Sequence, residues 1–492
     1  MAGEIRGLTR EAVVDAMAQG PDGVLALFAR VLAPVLDRLQ TLEAREAARA
    51  KDSHNSGKPP SSDGSHAGRA PKSLRGRSGK RPGGQPGHPG TTLALRAGPD
   101  HLVTHAPPAC AQCGHRFTTG DPPAVLVPGE RRQVLEMPPV ALVCTEHRLA
   151  ERPCPHCAAW SRGSFPPEAR TTVQYGPGVL ALGLYLTTQQ LLPVGRAAAT
   201  LTALTGQRIS PATLLTAEQR CAATLTPVTA HIHAGLARSA VLRLDETGFY
   251  VADGPGPAAR WWLHVACTPT LTHYTAHPRR GTVAHAAIDL LATYAGTVVH
   301  DGYPAYFTHT TCRHALCGVH LLRELTFLAE ECGAEWAAAL KRSLGVMHRA
   351  TARAQAAGQA ALDRATLSRF ERRYDALVAH GEATEPPPVP GASGRPRRTP
   401  AGQLLVRLRR DRDAVLRFLH DLAVPFDNNE AERDLRMMKV EQKVSGGFRT
   451  TDGAATFCTL RGYLTTARKQ GVPALDALTA ALVDLPFWPA VP

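Results

Sequence analysis

Four acids and two arginines fall within the twelve residues 425–436, which read PFDNNEAERDLR. One interpretation is a helix start, because Asn429 followed three residues later by Glu432 has the form of a capping box. The other interpretation is chemical, because a carboxylate on a helix can complete a divalent-metal site that acids elsewhere begin. The stretch alone leaves both interpretations open.

Two further acids follow apolar runs that are typical of buried strands. Asp245 ends the run 241–244, and Asp301 ends the run 298–300. An acid at the end of an interior strand is costly unless it is paired, hydrogen-bonded or bound to a metal. If the chain order is three antiparallel strands, a helix and a strand, the two strands are neighbours in one sheet. Their carboxylates would then meet at one end of that sheet.

Asp245, Asp301 and a third carboxylate from a packed helix would suit Mg²⁺ or Mn²⁺, which prefer oxygen ligands and leave positions for phosphate oxygens. Two such ions about 3.5–4 Å apart activate an attacking oxygen and stabilise a leaving one. Glu432 and Glu430 both lie early in the helix, and spacing does not decide between them. The same helix carries three cations that would point towards phosphates: Arg433, Arg436 and Lys439.

Two close cysteine pairs, CAQC at 110–113 and CPHC at 154–157, predict a structural zinc site of the ribbon kind. Each pair presents two thiolates from one turn, and VLEMPPVALV at 134–143 predicts a hairpin between the turns. A redox role for a single pair is the weaker alternative, and Cys144 and His147 are spare ligands. The predicted zinc ligands are Cys110, Cys113, Cys154 and Cys157.

The composition favours a polyanionic partner. The 492 residues carry 56 Lys+Arg against 42 Asp+Glu, a formal net charge of +14, which makes nucleic acid the default partner. Residues 51–90 are mostly Gly, Ser, Pro and basic residues, so they predict a linker that is either an arm along phosphates or a solvated tether. The basic residues of this arm are Lys58, Arg69, Lys72, Arg75, Arg77, Lys80 and Arg81.

Membrane association is not expected from the sequence. No run approaches the ~18 apolar residues of a membrane span, and the N-terminus has acids where a signal peptide is basic and then apolar. We therefore expect a cytoplasmic protein. Its eleven cysteines favour metal ligation and buried thiols over disulfides in that compartment.

Residues 24–50 predict a helix with the apolar spacing of a coiled coil, interrupted by Pro34. Such a seam would join two copies of the chain. The alternative is a short amphipathic helix packed on its own domain. The seam residues are Leu25, Phe28, Leu32, Val35, Leu39 and Leu42.

An ordered set of short motifs accompanies the cysteine pairs. It comprises NSGKPPSSDG (55–64), RPGGQPGHPG (81–90), LDET (244–247), HDGY (300–303), CGVH (317–320), DNNEAERDLR (427–436) and KVSGGFRT (443–450). In this order the sequence resembles the IS66 family of bacterial insertion-sequence transposases. One departure is NSGK, where the family usually has Asn-Ser-Ser-Lys.

The resemblance implies a DDE transposase with an α/β, RNase H-like catalytic core and a helical insertion between the second Asp and the Glu. It assigns the catalytic and metal-binding triad to Asp245, Asp301 and Glu432, by analogy alone. Cys317 and His320 resemble the C-x-x-H motif of several DDE groups, and are either metal ligands or a packed pair at a helix start. Four cations would clamp the DNA backbone: Arg433, Arg436, Lys443 and Arg449.

The expected organisation has seven segments. They are a helical segment, with the coiled-coil alternative, at 1–50; a basic linker at 51–100; a DNA-binding zinc ribbon at 101–165; a helical DNA-binding or connecting region at 166–238; the first part of the core at 239–320; the insertion at 321–420; and the last core helices with the C-terminal tail at 421–492. The helical composition after residue 320 agrees with the insertion that the resemblance implies.

The expected function is a transposase that binds the terminal repeats of an insertion sequence and catalyses metal-dependent DNA cleavage and strand transfer. Its partners would be double-stranded DNA and at least a second copy of the chain, with accessory proteins left open. It would work in a bacterial cytoplasm, on the nucleoid when bound to DNA. The alternatives are a metal-dependent nuclease on the same fold, a DNA-binding protein derived from a transposase, and a zinc-ribbon module beside an unrelated globular domain.

Overall fold

The computed structural model describes residues 9–32, 87, 93–127, 131–138, 140–166, 169–253, 259–388 and 398–492. The chain forms two units: Ser73–Cys144, and Met1–Lys72 together with Thr145–Pro492. A five-stranded sheet and its surrounding helices belong to the second of these units. The basic arm predicted between Lys58 and Arg81 lies outside the described residues.

The described N-terminal part consists of helix α1 (Arg10–Ala18) and a helical segment at 20–32. Ala16 packs in a small cluster with Leu27 and Val31 of that segment. Part of the predicted coiled-coil seam is exposed instead: Leu25, Phe28 and Leu32. The remainder of the seam lies outside the described residues, together with Pro34, so coil-mediated association stays a prediction.

The unit Ser73–Cys144 forms no helix or strand in the part that the structure describes, apart from one isolated bridge between Ala109 and Arg116. The hairpin predicted at 134–143 is therefore wrong for its described residues, 134–138 and 140–143. Pro138 and Pro139 account for this, because proline has no N–H to donate to a strand ladder. Apolar, strand-like side chains do not compensate for the missing donors.

In the other unit, β1 (Glu151–Pro153) pairs with β2 (Trp160–Arg162) in an antiparallel ribbon. Three helices follow: α2 (Pro177–Leu184), α3 (Val194–Thr205) and α4 (Pro211–Arg238), with a π-helical turn at Tyr185–Gln189 between the first two. Ser210 caps α4 by accepting the N–H of Thr213, and Pro211 occupies the first turn, where no N–H is needed.

The sheet contains β3 (Val241–Val251), β4 (Ala259–Cys267), β5 (Thr272–His277), β6 (Thr297–His300) and β7 (Arg313–Leu316), in the order β5-β4-β3-β6-β7. β3, β4 and β5 form an antiparallel meander, whereas β6 runs parallel to β3 and to β7. Helix α5 (Thr282–Ile288) lies between β5 and β6 in the chain. This arrangement makes β3 the central strand.

The rest of the unit is helical. Five helices follow β7: α6 (Gly318–Glu331), α7 (Glu335–Ala356), α8 (Arg364–Thr384), α9 (Pro400–Arg410) and α10 (Arg412–His420). They share an apolar cluster with β6 and β7. The last three helices are α11 (Asn429–Ser445), α12 (Thr451–Lys469) and α13 (Ala474–Leu482). No helix in the described ranges is long and apolar enough to cross a membrane.

Successive residues of β3 enter different cores, because side chains alternate between the faces of a strand. Leu242 and Leu244 pack in a cluster with residues of α4 and α12. Phe249 and Val251 pack in another cluster, with residues of α11 and α12. By this alternation Asp245 belongs to the face that α11 covers. The sheet thus presents one strand-borne acid to the helix that carries the acidic stretch 425–436.

Candidate metal-binding active site

Asp245 and Asp301 come from neighbouring parallel strands. The register of β3 and β6 places Val241 opposite Thr297 and Arg243 opposite Val299. Asp245 is four residues beyond Val241, and Asp301 is four residues beyond Thr297, so the same register brings the two acids to equivalent positions. The prediction that these two strands are neighbours is confirmed by their pairing.

The environment of Asp245 disfavours its charged form. Burial raises the pKa of Asp245 well above its ordinary value, and the negative charges of Glu246, Asp301 and Glu432 raise it further. One opposing effect is the hydrogen bond that its Oδ1 accepts from the N–H of Glu246 at 2.9 Å. A bound cation would remove most of this penalty.

Asp301 is held by its own loop and approached by one arginine. Its Oδ1 accepts the N–H of Tyr303 at 2.8 Å. A guanidinium nitrogen of Arg280 lies 3.9 Å from its Oδ2. The same guanidinium stacks on the Tyr303 ring, 3.9 Å from the ring centroid. The side chain of Asp301 keeps 30% of its surface exposed, which leaves it accessible to an ion or a substrate oxygen.

Sequence reasoning missed the buried carboxylate of Glu246. Its Oε1 accepts a 2.6 Å hydrogen bond from Arg280, and its Oε2 accepts one from the hydroxyl of Tyr306. Burial raises the pKa of Glu246, while Tyr306 and Arg280 oppose that rise. Glu246 therefore fixes Arg280 beside Asp301. The signal available in the sequence was the second acid of LDET, directly after Asp245.

The acidic stretch starts a helix, but not by the predicted capping box. The helix begins at Asn429, and Asn428 is its cap residue, without a hydrogen bond from a cap side chain. The Asn428 side chain instead donates through Nδ2 to the carbonyl of Leu244 at 2.8 Å, directly before Asp245. The predicted capping box, Asn429 with Glu432, is therefore wrong, because Asn429 is the first residue of the helix and not its cap. The Asn428 side chain ties α11 to β3 instead.

Glu430 and Glu432 have opposite surroundings. The carboxylate of Glu430 is paired with Arg243 and lies 3.0 Å from Nζ of Lys469. Glu432 has no cationic Lys or Arg partner among the residues that the structure describes, and its Oε1 is buried without a hydrogen-bond partner there. Its negative charge acts on Asp245. Of the two candidates, Glu432 is the one left free to bind a metal.

Cys317 and His320 lie beside Glu432. One ligand atom from each of these three residues falls within 4.8 Å of the other two. Gly318 allows α6 to start close to Phe426, because a Cβ at that position would lie 2.3 Å from the Phe426 ring and force one of the two to move. The sequence left the role of C-x-x-H open, and spacing could not show that α11 meets it.

The cations of α11 and the loop after it divide into two groups. Lys439 was predicted to face phosphates, but its ammonium donates to the carbonyl of Gly248 at 3.1 Å, where burial lowers its pKa. The other four are exposed and have no carboxylate partner within the described part of the chain: Arg433, Arg436, Lys443 and Arg449. These four are free to meet a polyanion.

The two cysteine pairs form matching turns. In the first, the N–H of Cys110 donates to the carbonyl of His115, and the N–H of Gly114 donates back to the carbonyl of Cys110, at 2.8 and 3.0 Å. In the second, the N–H of Cys154 donates to the carbonyl of Ala159, and the N–H of Ala158 donates back to the carbonyl of Cys154, at 2.8 and 2.9 Å. Gly114 and Ala158 both have positive φ, 73° and 58°.

Backbone hydrogen bonds also lower the pKa of the first thiol in each turn, Cys110 and Cys154. Such turns present two thiolates to one ion, as a zinc knuckle does. The two turns belong to different units of the structure, with the boundary after Cys144. A shared site for Cys110, Cys113, Cys154 and Cys157 stays a prediction.

Comparison with known proteins gives two family matches and one relative. A model described as the Transposase IS66 family matches residues 172–456, more than half of the 492-residue chain. A family of unknown function (DUF6444) matches residues 11–94. The chain is 36% identical over 70 residues to the uncharacterized protein y4jO of Sinorhizobium fredii, a stretch that covers 14% of this chain and 22% of that protein. The first match contains the acids described above.

Proposed function

The chain belongs to the IS66 transposase family, and from that premise we propose that it is a DDE transposase that cuts and joins DNA. It would bind the terminal repeats of an insertion sequence, hydrolyse a phosphodiester to free a 3′ hydroxyl, and direct that hydroxyl at target DNA. The catalytic residues would be Asp245, Asp301 and Glu432.

The observation that carries this proposal is the convergence of three acids from β3, the end of β6 and the first turn of α11. Mutual repulsion and burial raise the pKa of Asp245, and Glu432 lacks a cationic Lys or Arg partner in the described chain. Neighbouring acids that serve the fold, such as Glu430, are neutralised by ion pairs. Of the three acids, only Asp301 has a guanidinium within 4 Å in the described chain, that of Arg280, and acids gathered with so little compensating charge are typical of a cation site.

The donor set fits Mg²⁺ or Mn²⁺, because all three residues offer oxygen ligands. When bound, such ions supply activation of the attacking oxygen and stabilisation of the leaving oxygen. The protein's own part is positioning. Asn428 ties the start of α11 to the carbonyl of Leu244, and Glu246 holds Arg280 beside Asp301. Arg280 would orient a phosphate next to the acids.

The fold and the basic surface support the same function. We propose an RNase H-like core on the basis of the antiparallel meander β3-β4-β5, the helix α5, and the parallel strands β6 and β7 with β3 in the centre. Four exposed cations on α11 and the loop after it would hold DNA backbone: Arg433, Arg436, Lys443 and Arg449. Joining two ends of an element would require at least two copies of the chain in the active complex.

Structural zinc is part of the proposal. The matching turns at Cys110 and Cys154, each with lowered thiol pKa, support zinc ligation by the four cysteines as a ribbon that contacts DNA. Removing that zinc with a chelator would weaken DNA binding and leave the acids of the core intact. DNA affinity that stays unchanged after the zinc has been removed, or a purified chain that contains no zinc, would count against the ribbon.

The experiment is a Mg²⁺-dependent strand-transfer assay with the full chain and a labelled fragment ending in the element's terminal repeat. Wild type is compared with Glu432→Gln, and Glu441→Gln on the same helix serves as the matched control. Joined product from wild type and control, but not from Glu432→Gln, is the expected result. Cleavage without joining would indicate a nuclease, binding alone would indicate a derived DNA-binding protein, and joining by Glu432→Gln would contradict the triad.

A further inference from the structure

Cys317, His320 and Glu432 have the arrangement of a metal site that is chemically different from the pair of aspartates. A sulfur, a ring nitrogen and a carboxylate oxygen lie within 4.8 Å of one another. Ligand atoms around a tetrahedral zinc ion lie roughly 3.4–3.7 Å apart, given bond lengths of about 2.0–2.3 Å. A contraction of about 1 Å, within the reach of side-chain rotation, would bring all three onto one ion.

The backbone holds two of these residues together without the ion. Cys317 is the cap residue of α6, and its Sγ accepts the N–H of Asn428 at 3.2 Å. The N–H of Gly318 donates to the carbonyl of Phe426 at 2.7 Å. The start of α6 is therefore fixed against the segment that starts α11. Because the two helix starts are joined by the backbone, the cluster is preorganised rather than a chance approach of long side chains.

Two polar atoms in this cluster lack partners. His320 Nδ1 and Glu432 Oε1 are buried and make no hydrogen bond to any group that the structure describes. They lie 3.7 Å from each other, which is too long for a hydrogen bond. Buried polar atoms are usually satisfied, so an unpartnered nitrogen and oxygen this close to each other indicate a missing shared partner. Their side chains are 20% and 21% exposed, so an ion can enter.

The ligand types select the ion. Thiolate and imidazole suit Zn²⁺ and other borderline ions, whereas Mg²⁺ takes oxygen ligands almost exclusively. Three protein ligands leave a fourth position open to water or a phosphate oxygen, as in zinc sites that act on substrates. We propose that Cys317, His320 and Glu432 bind a borderline transition-metal ion such as Zn²⁺, in a site that shares Glu432 with the aspartate pair.

Binding would displace the Cys317 thiol proton to solvent and leave a thiolate on the metal. The metal would hold Glu432 against α6, so the two sites would compete for one carboxylate. This competition rests on the proposed function of Glu432, whereas the binding itself does not. The proposal is therefore tested by metal binding, without DNA.

The experiment uses Co²⁺ as a spectroscopic probe on the full chain. A thiolate bound to Co²⁺ gives a sulfur-to-metal charge-transfer band, which oxygen-bound Co²⁺ at the aspartates does not give. The metal-free chain is loaded with Co²⁺ alone, because Zn²⁺ would also fill the site under test, and the cysteine pairs then contribute the same band in every variant. We expect wild type to bind one more thiolate-ligated Co²⁺ per chain than Cys317→Ser, with a correspondingly stronger band. Cys458→Ser, a buried cysteine outside the cluster, is the matched control and should equal wild type in both.

A second variant distinguishes the loss of a metal ligand from the loss of folding. His320→Asn lacks one ligand and leaves the thiol in place, and its metal-free thermal unfolding is compared with that of wild type. Loss of the additional Co²⁺ by a folded His320→Asn protein supports the site. Equal Co²⁺ uptake and identical spectra in wild type, Cys317→Ser and His320→Asn would overturn it. Asp301→Asn should keep the full charge-transfer band of wild type whether or not the proposed triad is right, so failure of this site is distinguishable from failure of the triad.

Discussion

Two groups of acids on helix α11 have opposite surroundings, although they are only two residues apart. Glu430 is paired with Arg243 and Lys469, and Asp434 lies 2.9 Å from Nζ of the same Lys469 and accepts the hydroxyl of Thr272. Glu432 has neither a Lys nor an Arg partner in the described chain and meets Cys317 and His320 instead. The first group stabilises the fold, and Glu432 carries charge that the fold leaves uncompensated.

Helix geometry explains how one short stretch can carry both fold-stabilising carboxylates and an unpaired one. Residues four apart lie on the same face of a helix, so Glu430 and Asp434 both meet Lys469. A residue midway between them lies on a different face. Glu432 is therefore directed to the start of α6, near Asp245. The spacing of acids along the helix separates structural carboxylates from metal-binding ones.

The largest expected effect follows from removing an uncompensated charge. Glu432→Gln should reduce strand cleavage about a thousandfold or more, because the metal shell loses a ligand while substrate contacts remain. Its free energy of unfolding should change by less than about 1 kcal/mol, since no hydrogen bond to Oε1 and no pair with a Lys or Arg is broken. Cleavage kinetics and urea unfolding of the same protein check both parts. A large loss of stability would show that Glu432 belongs with the structural acids.

The second prediction concerns Asp434, one of the two acids that are paired with Lys469. Asp434→Asn should lower the free energy of unfolding by about 3 kcal/mol, because it leaves the buried ammonium of Lys469 with one carboxylate instead of two and disturbs the contact with Thr272. Urea unfolding in parallel with Glu432→Gln gives the comparison directly. If the two variants lose equal stability, the division of α11 into two kinds of acid is wrong.

Three buried histidines next to the strand-borne acids stay neutral, so they do not compensate the charge of those acids in the way that Arg243 compensates Glu430. Burial lowers the pKa of His300 to about 3 and of His264 and His285 to about 4. In the unfolded chain these histidines bind protons below about pH 6.5, whereas in the folded chain they bind protons only near their lowered pKa values of about 3 and 4. The free energy of unfolding should therefore be unaffected by these histidines above about pH 6.5, and it should fall as the pH decreases from there towards 3.

Between its folded and unfolded pKa values, each such histidine adds about 1.4 kcal/mol per pH unit to the slope of the free energy of unfolding against pH. His300→Gln should reduce the slope of unfolding free energy against pH by about that amount, since glutamine does not titrate. His380→Gln, at an exposed position on α8, is the control and should leave the slope unchanged. Denaturant unfolding at several pH values measures both, and equal slopes in all three proteins would contradict a neutral buried His300.

The sequence predicted some parts of this region and missed others for identifiable reasons. Strand type and neighbourhood for β3 and β6 followed from apolar runs that end in acids, and their parallel pairing confirms them. The assignment of Glu432 over Glu430 did not follow, because it depends on Arg243, 187 residues away in the chain. The spacing of residues within 425–436 cannot reveal a partner that is so distant in the sequence. The triad itself stays a prediction until it is tested.

Other misses have the same origin. The contacts of Glu246 with Arg280 and Tyr306 join residues 34 and 60 positions apart, and no periodic pattern encodes them. The predicted capping box failed because the helix begins one residue earlier than the box requires, with Asn429 already inside it. The cap residue Asn428 bonds the carbonyl of Leu244, a tertiary partner, through its side chain. Tertiary hydrogen bonds of this kind decide active-site geometry, whereas hydrophobic periodicity decides only where the elements run.

That tertiary hydrogen bond can itself be tested. Asn428→Ala should lower the free energy of unfolding by about 1 kcal/mol, because the buried Leu244 carbonyl loses its donor. Cleavage should fall by more than this instability explains, because α11 is no longer fixed beside Asp245. The two quantities are separated by assaying cleavage at a temperature where the variant is fully folded. Normal cleavage there would mean that Asn428 has a structural role alone.

The smallest effect on stability is expected at the exposed cations. Arg433→Gln and Arg436→Gln should each change the free energy of unfolding by less than about 0.5 kcal/mol, since neither side chain is buried or paired within the described chain. Each should weaken DNA binding similarly for all sequences and reduce the slope of log affinity against log salt by roughly one. Lys439→Gln is the informative contrast, because its ammonium is bound to the Gly248 carbonyl. That variant should lose stability while keeping the salt slope, and a reduced slope would instead place Lys439 among the DNA contacts.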